Sequence, residues 1–141
     1  MYSVDPQNDH SAFMCALNNA DIYALVELAS GNCSNCAILS YEAPDCYPVH
    51  LKIRGQEIMR EFSRYSNTLA FSAGNEVNHF VPLGKPPQWN APCLKKFVRD
   101  MRAYISHCSQ HMRQIPIGLI MADSDREENT LYYNCQSDPK D

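Results

Sequence analysis

LAFSAGNEV, residues 69–77, is an apolar run of strand length that ends in a glycine, an amide and a carboxylate. Strands buried in a parallel sheet carry almost only apolar side chains, and in α/β folds their C-terminal ends face the ligand. Packing therefore does not explain Asn75 and Glu76, and Glu76 is a candidate catalytic residue. The alternative is that Asn75-Glu76 is only the solvated start of a loop, because so short a motif often occurs without function.

Apolar runs and amphipathic segments alternate along the rest of the chain. Strands are predicted at residues 22–28, 69–77 and 115–121, and the end of another before Pro6. Helices are predicted at residues 9–20, capped by Asp9, at 51–65, weakened by Gly55, and from about 92 to 108, with Asn90 as a possible cap. This order is typical of βαβ units and a parallel sheet.

Glu27, Glu76 and Asp123 come at or after the ends of successive predicted strands. A parallel arrangement would bring these carboxylates to one face, where both the (β/α)₈ barrel and the doubly wound sheet bind ligands. No glycine-rich loop that would hold a phosphate is present in the sequence. The prediction is therefore a barrel fold.

Composition narrows the classes of partner. The 141 residues are 45% hydrophobic and 20% charged, as expected for one domain with a buried core. The net charge of -4 argues against nucleic acid as a partner. No apolar run approaches the roughly 18 residues of a membrane span, and the N-terminus lacks the features of a signal peptide.

Paired carboxylates suit glycoside hydrolysis. One carboxylic acid protonates the leaving oxygen and a second carboxylate acts as nucleophile or base, about 5 Å away in retaining enzymes. Glu76 suits the acid, and Asn75 suits a hydrogen bond to a sugar hydroxyl. Glu27 and Asp123 are candidates for binding sugar hydroxyls or, less readily, for the second carboxylate. The alternative for both is helix capping or loop hydrogen bonding.

Five stretches resemble, in chain order, the fungal β-1,3-glucanosyltransferases of glycoside hydrolase family 72. They are DHSAFMCALNNADIY (9–23), YSNTLAFSAGNEV (65–77), FVRDMRAYI (97–105), RQIPIG (113–118) and LYYNC (131–135). The resemblance implies a retaining (β/α)₈ enzyme of cell-wall remodelling, which cuts internal β-1,3-glucan linkages and transfers the new end to another glucan. No cofactor is expected.

The resemblance also assigns residues. Glu76 matches the acid/base, Asn75 its sugar-binding neighbour and Tyr2 a substrate-contacting tyrosine, while Glu27 stands where the family usually has an aspartate in the cleft. The family's nucleophilic glutamate lies on a later strand, so no residue here matches it. Residues 1–141 are thus expected to form an incomplete catalytic domain, from roughly the end of barrel strand 2 through strand 5. On its own, such a partial (β/α)₈ barrel should be catalytically silent.

The chain departs from the family pattern at several positions. Phe13 stands in place of a family cysteine, Cys135 matches a family cysteine, and Leu119-Ile120 replaces an expected tyrosine-serine pair. The family is found at the cell surface or cell wall, held to the membrane by a glycolipid anchor. Neither a signal peptide nor an anchor signal is recognisable in this sequence.

Three alternatives come from other classes of protein. Cys33, Cys36, Cys46 and His50 supply the ligand types of a structural zinc site within one loop. A glucan-binding protein without catalysis is the second alternative. A Cys/His nucleophile is weaker, because none of the seven cysteines has a recognisable activating context.

Two further segments allow more than one interpretation. Residues 78–92 are rich in proline, which excludes regular structure, and carry Trp89, which either stacks on a sugar or holds its own loop to the body. The third predicted helix carries several charged residues, which are interpreted as a solvated face: Lys95, Lys96, Arg99, Asp100 and Arg102.

Overall fold

A parallel sheet of three strands forms the centre of the protein. The computed structural model describes residues 1, 4–29, 38, 45–79, 81, 83–123 and 126–133. The strands are β1 (Ala24–Glu27), β2 (Thr68–Asn75) and β3 (Ile117–Ile120), hydrogen-bonded in that order. Both pairings are parallel, as the alternation of apolar runs and amphipathic segments predicts.

The connections between strands are helical. The helices are α1 (Ser11–Asn19), α2 (Val49–Phe62), α3 (Ala91–His107) and α4 (Arg126–Tyr133), with a 3₁₀ turn at Pro87–Asn90. No helix in the described ranges is both long and apolar enough to cross a membrane. Each predicted helix and strand in the body of the chain is present, with ends shifted by a few residues.

The core lies between one face of the sheet and the crossover helices α2 and α3. Phe71 of β2, Phe62 of α2 and Phe97 of α3 are all fully buried there. Gly55 lets the two helices approach, since a Cβ at this position would lie 3.0 Å from both the Phe97 ring and the Met101 sulfur. The glycine that weakens α2 as a helix former is thus required by its packing.

The register of the sheet determines how far along the strands the candidate residues lie. Glu27 lies opposite Ser72, and Asn75 lies opposite Ile120. Met1 continues the ladder on the free side of β1, because its carbonyl accepts the Glu27 amide at 3.2 Å and its nitrogen donates to the Leu25 carbonyl at 2.8 Å. The strand end predicted before Pro6 lies partly outside the described residues.

Three local predictions need correction, and one is met. The proline-rich segment contains the 3₁₀ turn, and the weakly patterned tail contains α4. Asp9 accepts the Ser11 amide at 2.9 Å, as expected of a cap. Asn90 precedes α3, but its side chain donates to the Val77 carbonyl at 3.2 Å instead of capping the helix. Asn90 is buried beside the loop after β2, so its side chain bonds to that loop and not to the first turn of α3.

Candidate active site

Glu76 follows β2 directly, at the C-terminal edge of the sheet. Its φ is 50°, the left-handed region that few residues other than glycine adopt. Its amide donates to the Ile120 carbonyl at 2.8 Å, and its carbonyl accepts the His79 amide at 2.8 Å. Uncommon backbone geometry of this kind persists only where the surroundings enforce it, and it is concentrated at functional sites.

Gly74 allows the turn that carries Glu76 to pack against the body. A Cβ on Gly74 would lie 2.8 Å from Cγ1 of Val77 and 3.1 Å from Cδ2 of Leu94. The first distance is shorter than real Cβ contacts allow, so any larger residue would displace the turn or α3. The glycine of the 69–77 stretch is therefore a packing requirement of the site.

The polar side chains at this edge have unused hydrogen-bonding capacity. Within the described part of the chain, the half-buried Glu76 carboxylate makes no hydrogen bond and no ion pair. Oδ1 of Asn75 is buried and likewise has no hydrogen-bond partner among those residues. Leaving a buried acceptor unsatisfied costs about 1–3 kcal/mol, which a donor from a bound ligand would recover.

Glu27 lies deeper in the sheet than Glu76. It is the last residue of β1, and it is 3% exposed. Its negative charge acts on the guanidinium group of Arg54. Burial lowers the pKa of Arg54, and the negative charge of Glu27 opposes that effect. The Arg54 guanidinium donates to the carbonyl of Leu28 at 2.6 Å and to that of Val4. Sequence analysis did not identify Arg54, because its partners are remote in sequence.

Asp123 is exposed, unlike Glu27 and Glu76. It lies three residues beyond the end of β3, its side chain is 76% exposed, and Oδ1 accepts the Arg126 Nε at 2.6 Å. This contact at the start of α4 agrees with the alternative of local loop or helix-end hydrogen bonding. The expectation that Asp123 meets the other carboxylates at one face stays a prediction, and its carboxylate is engaged locally with Arg126. Tyr2 lies outside the described residues.

The loop after β2 is attached to the loop after β3 by a residue that sequence analysis missed. The side chain of Asn78 accepts the Ala122 amide at 2.8 Å and faces the Ala122 carbonyl through Nδ2 at 3.4 Å. The only signal in the sequence is a second asparagine three residues after Asn75, which by itself predicts nothing.

Trp89 lies beside its own loop. It is half-buried, and the ammonium group of Lys85 lies 3.7 Å from the centre of its ring. A cation in that position is attracted by the negative face of the ring. Both partners belong to the loop, so this contact orders the loop itself and leaves both interpretations of Trp89 open.

The zinc alternative loses one of its ligands. Cys46 forms a disulfide with Cys93, so its sulfur is not a free thiolate. Cys33 and Cys36 lie outside the described residues, and within those residues there is no cluster of three metal-ligating side chains.

The charged face of α3 is more than a solvated surface. Asp100 accepts hydrogen bonds from the hydroxyl of Tyr47 and from Arg99, and Lys52 of α2 lies 3.9 Å away. Arg102 donates to the carbonyl of Ile117 at 3.0 Å. The interpretation as a solvated face is therefore wrong for Asp100, whereas Arg102 is exposed and also reaches β3.

Several curated proteins are similar to this chain. It is 36% identical over 141 residues to the 1,3-beta-glucanosyltransferase gel1 of Aspergillus fumigatus, a match that covers 98% of this chain and 29% of that protein. It is 32% identical over 140 residues to the 1,3-beta-glucanosyltransferase PGA4 of Candida albicans. This match covers 98% of this chain and 29% of PGA4. The chain thus spans less than a third of the length of these relatives.

The fold is similar to that of Saccharomyces cerevisiae Gas2p solved with laminaritriose and laminaritetraose. That comparison has a TM-score of 0.71 and 26% identity, and it covers 92% of this chain and 27% of Gas2p. The Gas2p complex with laminaripentaose gives a TM-score of 0.68 with the same identity and coverage. The family model for the glucanosyltransferases of glycoside hydrolase family 72 matches residues 1–141. The chain therefore belongs to the glucanosyltransferase family.

Proposed function

We propose that this chain contributes the acid/base part of a retaining β-1,3-glucan cleavage and transfer reaction, with Glu76 as the proton donor and acceptor. The observation that carries the proposal is the Glu76 carboxylate itself, which is half-buried at the C-terminal edge of a parallel sheet and uncommitted among the described residues. The names of the curated relatives and the laminari-oligosaccharides bound to Gas2p support β-1,3-glucan as the substrate.

The proposed chemistry has two steps. Glu76 first gives its proton to the oxygen of the breaking glycosidic bond, and the shortened glucan leaves as an alcohol. A glycosyl group then remains on the nucleophilic carboxylate of the enzyme. Glu76, now ionised, takes the proton from the hydroxyl of an incoming glucan as that oxygen attacks the glycosyl carbon. No residue among the 141 is assigned as the nucleophile, so we expect the chain by itself to be silent.

Other residues are proposed to bind the sugar. Asn75 has a buried Oδ1 available to a sugar hydroxyl, which makes it the best supported of these candidates. Glu27 opens onto a cavity of about 370 Å³ that is also lined by Tyr23 and Leu25. Tyr2 remains a proposal from resemblance alone. Asp123 is a less well supported candidate for sugar binding, because its carboxylate is engaged with Arg126.

We further propose that the sheet is part of a (β/α)₈ barrel, from roughly the end of the second strand through the fifth. The strands lie side by side in chain order, and the crossover helices α2 and α3 pack against each other on the same side. Singly wound order with helices on one face favours a barrel over a doubly wound sheet.

The proposed location is the fungal cell surface. The Cys46–Cys93 disulfide supports passage through an oxidising compartment, where such bonds form and persist. Asn32-Cys33-Ser34 is an N-glycosylation sequon, so the native protein isolated from its fungal host tests this directly. A native protein whose mass falls on treatment with an N-glycosidase agrees with secretion, and an unmodified native protein found only in the cytosol contradicts it.

A hybrid enzyme tests the role of Glu76. The segment of Aspergillus gel1 that this chain matches is replaced by residues 1–141, and transfer between laminari-oligosaccharides is followed by product chromatography. We expect the Glu76→Gln hybrid to lose about 10²–10⁴-fold in rate. Glu57→Gln, the same change of charge on α2, is the control and should keep full activity. A Glu76→Gln hybrid as active as the control would refute the proposal.

The non-catalytic alternative makes a different prediction for the 141-residue chain. Affinity for laminaripentaose without cleavage agrees with a glucan-binding protein and with the expectation of silence. Cleavage by the purified chain that disappears in Glu76→Gln contradicts the expected silence but supports the acid/base assignment. Absence of binding at millimolar oligosaccharide argues against the binding protein.

A further inference from the structure

We propose that Asn78 is a positioning residue for Glu76. Asn78 positions Glu76 by attaching the turn after β2 to the backbone of the loop after β3. The inference rests on the proposed function, because it concerns the residue assigned as the acid/base.

The contact of Asn78 imitates a pair of backbone groups. Its Oδ1 accepts the Ala122 amide at 2.8 Å, and its Nδ2 faces the Ala122 carbonyl at 3.4 Å. Asn78 is 3% exposed, so the interaction takes place away from bulk water. A side-chain amide supplies both a donor and an acceptor, which the neighbouring peptide group of a strand would otherwise supply.

Two attachments to residues 120–122 hold the turn at closely spaced points. The Glu76 amide is bonded to the Ile120 carbonyl at 2.8 Å, and two residues later Asn78 is bonded to Ala122. Val77 between them is fully buried. The backbone from 76 to 78 is therefore held against residues 120–122 at both ends. Since the left-handed conformation of Glu76 is unfavourable for a residue with a Cβ, these attachments maintain it, together with the 3.2 Å bond from the Asn90 side chain to the Val77 carbonyl.

The orientation of the carboxylate follows from this backbone geometry. A side chain leaves its Cα in a direction set by φ and ψ, so a relaxed turn would move the carboxylate away from its present position. Proton transfer needs the acid within hydrogen-bond reach of the glycosidic oxygen. Asn78 thus acts on the proposed reaction through Glu76, without touching the sugar itself.

Asn67 provides a matched control. It is also a buried asparagine with two hydrogen bonds to backbone, from Nδ2 to the carbonyls of Met14 at 3.1 Å and Ile22 at 3.2 Å. It precedes β2, at the opposite end of the strand from Glu76. Loss of its side chain should lower stability without changing the turn at Glu76.

The test uses the isotope-labelled 141-residue chain and NMR. In Asn78→Ala we expect the three-bond HN–Hα coupling of Glu76 to lose its left-handed value and its amide exchange to accelerate about tenfold. Asn78→Asp keeps the 2.8 Å bond and should recover part of both signals. Asn67→Ala should leave both at the wild-type values even where it lowers the melting temperature more.

The inference is overturned if neither signal changes in Asn78→Ala, or if Asn67→Ala changes them equally. These readouts are independent of sugar chemistry. A hybrid enzyme that is indifferent to Glu76→Gln would therefore refute the proposed function and leave the conformational result intact, whereas unchanged NMR signals would refute only the role of Asn78.

Discussion

The backbone amide of Glu76 donates a 2.8 Å hydrogen bond to the carbonyl of Ile120, which extends the pairing of β2 with β3 one residue past Asn75. The ladder thus continues into the residue with φ of 50°. The candidate acid is anchored by its neighbour strand and not only by its own. The backbone of Glu76 is therefore attached to β3 at the edge of the sheet.

Removal of the Asn75 side chain should weaken sugar binding while costing little stability. Oδ1 has no hydrogen-bond partner among the described residues, so Asn75→Ala removes an acceptor that a ligand would satisfy. We expect about tenfold weaker binding of laminaripentaose in an NMR titration. Asn8→Ala, at an exposed position, is the control. Unchanged affinity in Asn75→Ala would exclude Asn75 from the proposed sugar site.

Gly74→Ala should destabilise the protein by about 1–3 kcal/mol. The added methyl group would lie 2.8 Å from Val77, so the turn or α3 must shift. Gly118→Ala is a matched control on β3, because its Cβ would meet nothing within 4 Å. In urea denaturation, Gly74→Ala should have a lower midpoint than Gly118→Ala. Equal midpoints would show that the turn accommodates the methyl group.

Loss of the Cys46–Cys93 disulfide should lower the free energy of unfolding by about 4 kcal/mol on the loop-entropy estimate. The bond closes a loop across a sequence separation of 47 residues, and both cysteines are buried. The double variant Cys46→Ala/Cys93→Ala should therefore unfold at lower denaturant concentration than wild type. Cys15→Ala removes an exposed free thiol and should change little. A double variant as stable as Cys15→Ala would contradict this expectation.

Asp100 should make stability depend on pH at the acidic end. Burial raises its pKa, but the hydrogen bonds from Tyr47 and Arg99 and the charge of Arg99 outweigh this and hold the pKa below the ordinary 3.8. A carboxyl whose pKa is lower in the folded state contributes stability above its unfolded pKa. That contribution is lost as the pH falls through the folded value.

The measurement is the urea midpoint between about pH 5 and pH 2. Asp100→Asn should flatten the decline of stability with falling pH, because its side chain no longer titrates. Asp123→Asn makes the same change of charge at an exposed position and is the control. An Asp100→Asn curve parallel to that of wild type would rule out Asp100 as a source of the acid sensitivity.

Local patterns in the sequence predicted the strands and the long helices. The apolar run 69–77 contains β2, and helical spacing from 92 to 108 corresponds to α3, because burial of one face imposes those periods. Prediction was poorer where the pattern is weak. Helix α4 and the 3₁₀ turn at Pro87–Asn90 were missed, and β1 is shorter than the apolar run that contains it.

The sequence by itself determined the order of strands and helices, and it identified Asn75 and Glu76 as polar residues at a strand end. Tertiary structure decided what they contact. Asn78 is hydrogen-bonded to Ala122, 44 residues away in sequence, and Arg54 to Val4, 50 residues away. No local pattern in the sequence predicts either pair. Tertiary structure also decided that the Asp123 carboxylate contacts Arg126. The physical reason is that strand and helix periods are set by neighbours in sequence, whereas hydrogen bonds between loops depend on how the sheet brings distant segments together.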